Sequence, residues 1–115
     1  MALHHAASGE VVDLAPLGSG LRGAHTQALV KKDDFEAIRL ILSAGDELPA
    51  HQVAGRFILH CLEGRVSLTA PSGEIQLSAH QWVYFDGGIT HAVRAIEDSS
   101  LLLTILLPAS GTSVS

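Results

Sequence analysis

The sequence predicts a single-domain, all-β protein whose strands pair antiparallel in a sandwich or a barrel. Short apolar segments rich in Val, Ile and Leu alternate with polar turns such as EG, PSG and EDSS. No stretch shows the helical spacing of apolar residues over a useful length. The 115 residues are enough for one hydrophobic core and too few for a second domain.

The predicted strands cover most of the chain from residue 28 onward. They span residues 28–31, 35–42, 56–62, 65–70, 74–78, 82–85, 92–96 and 101–107. A turn is predicted at residues 43–49. The last strand, LLLTILL, is apolar on both faces. We therefore expect a covering layer over it, most simply a second subunit, and predict a homodimer.

Weak periodicity sets the first part of the chain apart. Residues 1–28 are rich in Gly, Ala and small polar residues. We expect short strands along the outside of the domain, or an arm that reaches a second subunit. His4 and His5 lie in this part and are predicted to be surface residues. The barrel is predicted over residues 29–107, and residues 108–115 form a C-terminal tail.

Composition excludes several classes of function. The formal charge is −5 and the pI is about 5.7, which argues against nucleic-acid binding, since that affinity comes from clustered basic residues. No apolar run reaches membrane-spanning length, and the N-terminus lacks the pattern of a signal peptide. We therefore expect a cytoplasmic protein. Cys61 is the one cysteine, so no intrachain disulfide is possible.

Two stretches carry most of the functional signal: GDELPAHQVAGRFILHCLEG at 45–64 and DGGITHAVR at 86–94. They resemble the two motifs of the cupin family. The first cupin motif places two histidines, a glutamate and a glycine after an initial glycine. The second places a proline, a glycine, a histidine and an asparagine after its own glycine. Among the sandwich and barrel alternatives, this resemblance selects a single-domain, antiparallel jelly-roll β-barrel.

The chain agrees with these motifs at several glycines but differs from them at several of the metal-ligand and turn positions. The positions that agree are Gly45, His51, Gly64, Gly88 and His91. The positions that depart are Val53 for the second His, Phe57 for the Glu, and His80, Asp86 and Ala95 for the Gly, Pro and Asn of the second motif.

The resemblance implies a metal site of which two ligands remain, His51 and His91. Cupin sites hold divalent transition metals, and Zn, Ni, Fe or Mn would suit such a set. Water, a ligand or a third side chain such as Gln52, His60 or Cys61 would have to complete it, because stable sites usually have three or more protein ligands.

Strand parity predicts the wall of the cavity. Residues 51, 53, 57, 59 and 61 share one side of an extended strand. The predicted cavity lining is therefore apolar and consists of Val53, Phe57, Leu59 and Cys61. A bulge at Gly55 would instead turn Arg56 or His60 inward. With parity unbroken, His60 faces away from the cavity as an interface or core residue.

Three functions remain open. The first is a protein that binds a small molecule in its barrel, with or without a weakly held divalent metal. The alternative is a metal-dependent enzyme such as a dioxygenase or an isomerase, supported by fold analogy. The third is a structural or regulatory subunit. The sequence identifies no catalytic residue. Asp86 is expected to form a turn or to orient His91, and Arg56 and Arg94 are the cations nearest to the two retained histidines.

Overall fold

In a computed structural model, two antiparallel sheets are formed by nine strands within the described residues, 4–52 and 54–107, with only the backbone described for residues 49–52. One short 3-10 helix, η1, spans Gly18–Gly23. The strands are β1 Gln27–Lys31, β2 Phe35–Leu42, β3 Glu47–Gln52, β4 Arg56–Glu63, β5 Arg65–Ala70, β6 Gly73–Ser78, β7 Trp82–Phe85, β8 Thr90–Ala95 and β9 Ser99–Leu106.

The two sheets face each other across the core. The five-stranded sheet has the order β1-β2-β9-β4-β7, and the four-stranded sheet has the order β3-β8-β5-β6. These orders are consistent with a jelly roll. Within the described residues no strand ladder joins one sheet to the other. The predicted closed barrel is thus a two-layered sandwich, because the edge strands of the two sheets do not pair.

The turn predicted at 43–49 is wrong in its second half, where β3 begins at Glu47. A charged residue and Pro49 concealed this strand in the sequence. Its position explains both residues, since β3 is an edge strand and proline is tolerated at an edge. Its pairing with β8 shifts register between Leu48 and His51.

Alternate residues of the strands fill the space between the sheets, as the period of two requires. In β4 the predicted inward residues Phe57, Leu59 and Cys61 are all almost completely buried. They face Val66 and Leu68 of β5, which are equally buried. Full burial of each such side chain stabilises the fold by about 1.5–3 kcal/mol, so this layer holds the two sheets together.

The N-terminal arm, residues 4–26, lies along the five-stranded sheet of its own chain. The amide of Ala6 donates to the carbonyl oxygen of Leu29 in β1 at 2.7 Å. Further along, the amides of Leu17 and Gly18 donate to the carboxylate of Glu63 at the end of β4, both at 2.9 Å. The arm therefore crosses the sheet from the β1 edge to β4. None of the described helices has the length and hydropathy needed to cross a bilayer.

Candidate functional site

A small cavity lies between the two sheets. Its volume is about 70 Å³. One polar side chain, that of His91, contributes to its described lining. The sequence predicted Phe57 and Leu59 among its walls and His91 inside the barrel. The facing of the other lining residues was not assigned. The described lining is Leu40, Leu48, Phe57, Leu59, His91, Val93, Leu103 and Ile105.

His91 sits at the start of β8, where the second motif delivers it. Its side chain is 5% exposed. The Nδ1 atom lies 3.3 Å from the carbonyl oxygen of Ile89, which accepts a hydrogen bond when Nδ1 carries the proton. This contact fixes the ring orientation from within the turn that precedes the strand. The imidazole is therefore an ordered part of the protein interior.

The backbones of His51 and His91 lie directly opposite each other across β3 and β8. The two motifs thus converge on one place although forty positions separate them in the chain. The side chain of His51 and the whole of Val53 lie outside the described part of the structure. Contact between the two imidazoles, and the place of Val53 in the wall, stay predictions.

Aromatic rings surround the imidazole. The ring centroids of Phe57 and His91 are 4.3 Å apart, with an interplanar angle of 31°. Phe85 stacks on Phe57 at 5.0 Å and lies 6.2 Å from His91. The register explains this cluster, because β4 and β7 place Phe57 and Phe85 directly opposite each other. The position that carries a glutamate in the cupin motif is therefore occupied by a packed phenyl ring.

The described side chains around His91 do not fit a metal ion. Among the described side chains, those of residues 4–48 and 54–107, no group of three or more from His, Cys, Asp or Glu is placed to hold one. No carboxylate or thiol belongs to the described lining of the cavity. The metal pair of His51 and His91 stays a prediction.

Cys61 faces inward but lies outside the described lining of the cavity. Its Sγ is 3.5 Å from the carbonyl oxygen of Glu63 and 3.6 Å from that of Gly64. Four residues of extended chain, roughly 13 Å, separate it from Phe57. Burial raises the pKa of the Cys61 thiol. The shared parity was correct, but parity carries no information about position along the strand axis.

Arg56 and His60 both face outward, so the bulge considered at Gly55 does not turn them into the core. Arg56 is exposed, and half-buried His60 stands between Trp82 and Leu102 on the neighbouring strands. The side chains of four further histidines are exposed: His4, His5, His25 and His80. Nε2 of His4 lies 2.8 Å from the carboxylate of Glu10.

Tyr84, an exposed residue of β7, is a polar residue that sequence reasoning passed over. Its hydroxyl donates to the carboxylate of Asp86 at 2.8 Å. This hydrogen bond is the main cause of a raised pKa for Tyr84, and Arg56 acts in the opposite direction. The signal in the sequence was the spacing of two, which puts residues 84 and 86 on one side of extended chain. Asp86, expected to shape the turn, thus accepts from a strand side chain.

The chain resembles known proteins in structure but not detectably in sequence. No protein-family sequence model matches the chain, and no curated protein matches it. Solved structures do match. A conserved protein of unknown function from Streptococcus pyogenes has a TM-score of 0.76 at 21% identity, covering 96% of this chain and 98% of its own.

Two further similar structures are described as cupins. A cupin superfamily protein from Desulfitobacterium hafniense has a TM-score of 0.75 at 16% identity, covering 94% of this chain and 100% of its own. An RmlC-like cupin from Desulfovibrio desulfuricans has a TM-score of 0.64 at 24% identity, covering 70% and 79%. The order of the strands, the convergence of the two motifs and these similarities agree, and the chain has the cupin fold.

Proposed function

We propose that this protein binds a small, mostly apolar molecule in the cavity between its two sheets, with the imidazole of His91 as the polar contact. The observation that carries the proposal is the composition of the lining: seven apolar side chains and one imidazole. Ligand sites are typically concave and apolar, with a few placed polar groups that set orientation.

The volume limits the ligand. At about 70 Å³, the cavity exceeds the roughly 10–15 Å³ that one water needs. It is well below the roughly 300–1,000 Å³ of sites for drug-sized molecules. The proposal is therefore restricted to a compact molecule of a few heavy atoms with one hydrogen-bonding group.

The polar end of the ligand should meet the imidazole. The imidazole is the polar side chain of the described lining, and the contact of its Nδ1 with the carbonyl oxygen of Ile89 helps to set its orientation. A neutral imidazole has one donor and one acceptor nitrogen, so a ligand with a hydroxyl or primary amide group, such as an alcohol or an amide, suits it. The tilted contact with Phe57, 4.3 Å between ring centroids, packs the imidazole in place.

A metal-dependent dioxygenase or isomerase is the alternative that the resemblance implies. It would need donor atoms beside His91, and the described lining supplies Phe57, Leu59 and other apolar groups instead. An apolar ligand, in contrast, can pack against these apolar walls directly. Cupin-fold proteins host unrelated activities, so the site has to support the function.

Nuclear magnetic resonance of methyl-labelled protein tests the proposal. We would titrate 1-propanol, propionamide and propionate into the protein. The expected result is saturable shifts of the Leu59, Val93 and Leu103 methyls with at least one of the two donors. Val93→Leu should abolish these shifts, because the added methylene takes up space inside the cavity.

Val83→Leu is the matched control, since Val83 packs against the core but lies outside the described lining of the cavity. It adds the same methylene without lining the cavity, so it should leave binding within about twofold. The proposal is overturned when no probe shifts the cavity methyls, or when Val93→Leu binds as the wild type does.

A further inference from the structure

The outer surface of the four-stranded sheet holds a groove that is separate from the cavity between the sheets. Its volume is about 370 Å³, which lies within the roughly 300–1,000 Å³ typical of sites for small molecules. Strands β3, β8, β5 and β6 all contribute to its walls. We name it the outer groove by six of its lining residues: Glu47, Ser67, Thr69, Glu74, Ala92 and Arg94.

The lining side chains of the outer groove point away from the core. They alternate along their strands with buried residues such as Leu68 and Val93, and side chains of one strand face opposite sides in turn. The facing of the groove therefore follows from strand parity.

Small residues form the floor of the outer groove. Ser67 of β5 and Ala92 of β8 lie on the two central strands of the sheet and are half-buried. Longer side chains stand on the two edge strands, Glu47 on β3 and Glu74 on β6, and both are exposed. The surface is thus low at its centre and high at its edges, which makes it concave across four strands.

The outer groove combines three kinds of hydrogen-bonding group. The carboxylates of Glu47 and Glu74 only accept hydrogen bonds, and the guanidinium of Arg94 only donates them. The hydroxyls of Ser67 and Thr69 do both. A ligand that satisfies all of them has to donate and accept hydrogen bonds at several points along its length.

The charged groups of the outer groove are available to a ligand. Glu47 and Arg94 stand directly opposite each other in the ladder of β3 and β8. Opposite charges in this arrangement usually attract, yet neither side chain forms an ion pair with a described residue, and Glu74 forms none either. By contrast, Arg65 on the same face is paired with Glu97 at 2.8 Å. A ligand can therefore bind the charged groups of the groove without breaking an ion pair.

We propose that the outer groove binds a neutral, polyhydroxylated molecule, a mono- or disaccharide. The hydroxyls of a sugar donate to carboxylates, and its hydroxyl and ring oxygens accept from a guanidinium. The charges favour a neutral ligand, since an anion would face Glu47 and Glu74 and a cation would face Arg94. This site lies outside the sandwich and is independent of the ligand proposed for the cavity.

Nuclear magnetic resonance of isotope-labelled protein tests the proposal. We would titrate glucose, galactose and cellobiose, with spermidine and citrate as charged comparisons. The expected result is saturable shifts of the Ser67, Thr69 and Arg94 amides with at least one sugar at millimolar concentration. The Leu59 methyls, which line the cavity between the sheets, should not shift.

Two variants test the assigned roles. Arg94→Met removes the donor but keeps a long side chain, and it should weaken sugar binding by about tenfold or more, as expected for the loss of a hydrogen bond to a charged group. Ser67→Leu should abolish binding, because the larger side chain fills the floor of the groove. Arg65→Met is the matched control for Arg94→Met, since Arg65 lies on the same face but outside the described lining, and it should leave binding within about twofold.

Several results would overturn the proposal. It fails when no sugar produces saturable shifts, when only spermidine or citrate does, or when either Arg94→Met or Ser67→Leu binds sugar as the wild type does. Sugar-induced shifts confined to the Leu59 methyls would overturn it as well, because the sugar would then occupy the cavity between the sheets.

Discussion

Phe57 shows how one residue changes the chemistry of a site without changing its fold. It stands where the cupin motif carries a carboxylate, is 1% exposed, and contacts both Phe85 and His91. Each such aromatic contact adds about 0.5–1.5 kcal/mol to the stabilisation from burial. The ring therefore contributes packing energy at a position where the motif would place a metal ligand.

Restoring the missing donors should convert the packed site into a metal site. Phe57→Glu alone should lower the free energy of unfolding by about 3–5 kcal/mol, because it removes a core ring and buries a carboxylate. The double variant Val53→His and Phe57→Glu should bind nickel or zinc orders of magnitude more tightly than the wild type. Its melting temperature should rise again with added metal, since binding to the native state stabilises it.

The matched control for this experiment is Val53→His with Phe57→Leu, which keeps position 57 apolar and should gain little metal affinity. Metal stoichiometry and melting temperature would be measured for all variants side by side. If the double variant folds but gains neither metal nor metal-dependent stability, positions 53 and 57 do not face His51 and His91.

Cys61 should be chemically silent in the native protein. Burial raises the pKa of its thiol, and the thiolate is the reactive form. Labelling by iodoacetamide at neutral pH should be slower by orders of magnitude than labelling of the unfolded chain, as followed by mass spectrometry. Rapid labelling of the native protein would contradict this.

The pH dependence has a definite sign. The raised pKa of Cys61 stabilises the native state at pH values below the pKa of the unfolded thiol. This contribution is lost as the pH rises through the higher pKa of the folded state. Urea denaturation of Cys61→Ser beside the wild type, across this alkaline range, would isolate the thiol.

At the scale of the element, turn chemistry made most strands predictable. The segments EG and PSG lie between apolar runs. Strand β5 begins directly after EG, at Arg65, and β6 begins at Gly73 of PSG. Two features escaped. Strand β3 contains Pro49, which is compatible with strand structure only because β3 is an edge. The crossing from one sheet to the other between β3 and β4 leaves no periodic signal, since it depends on which partners each strand finds.

Gly64, between β4 and β5, should be essential to the stability of the connection between these two strands. Its φ is +89°, and a Cβ there would lie 2.8 Å from the Cα of Ser99. Gly64→Ala should therefore combine backbone strain with a steric collision, together about 2–5 kcal/mol of lost stability. Chemical denaturation would measure the change.

Gly45 supplies the control, because its φ is +90° and nothing lies within 4 Å of a Cβ placed there. Gly45→Ala should cost the strain alone, about 1–2 kcal/mol. Equal effects of the two substitutions would show that the close approach to Ser99 has no energetic consequence.

At the scale of the molecule, the sequence predicted the fold better than the site. The glycines and turns of both motifs were enough to indicate strands that converge on His51 and His91, and the register of β3 and β8 brings these backbones together. The cavity was harder to foresee, because its walls come from strands of both sheets. The volume of the cavity depends on how side chains from several strands pack together, and no local sequence pattern predicts it.

The position of β9 bears on how the chain is made. It lies between β2 and β4 in the five-stranded sheet, yet of the nine strands in the described chain it is the last to leave the ribosome. Until it emerges, β2 and β4 lack their shared neighbour, and their apolar side chains and free backbone groups are exposed to other molecules. Biosynthesis of this protein thus passes through a period in which chaperones have a well-defined surface to protect, and a single late strand ends it.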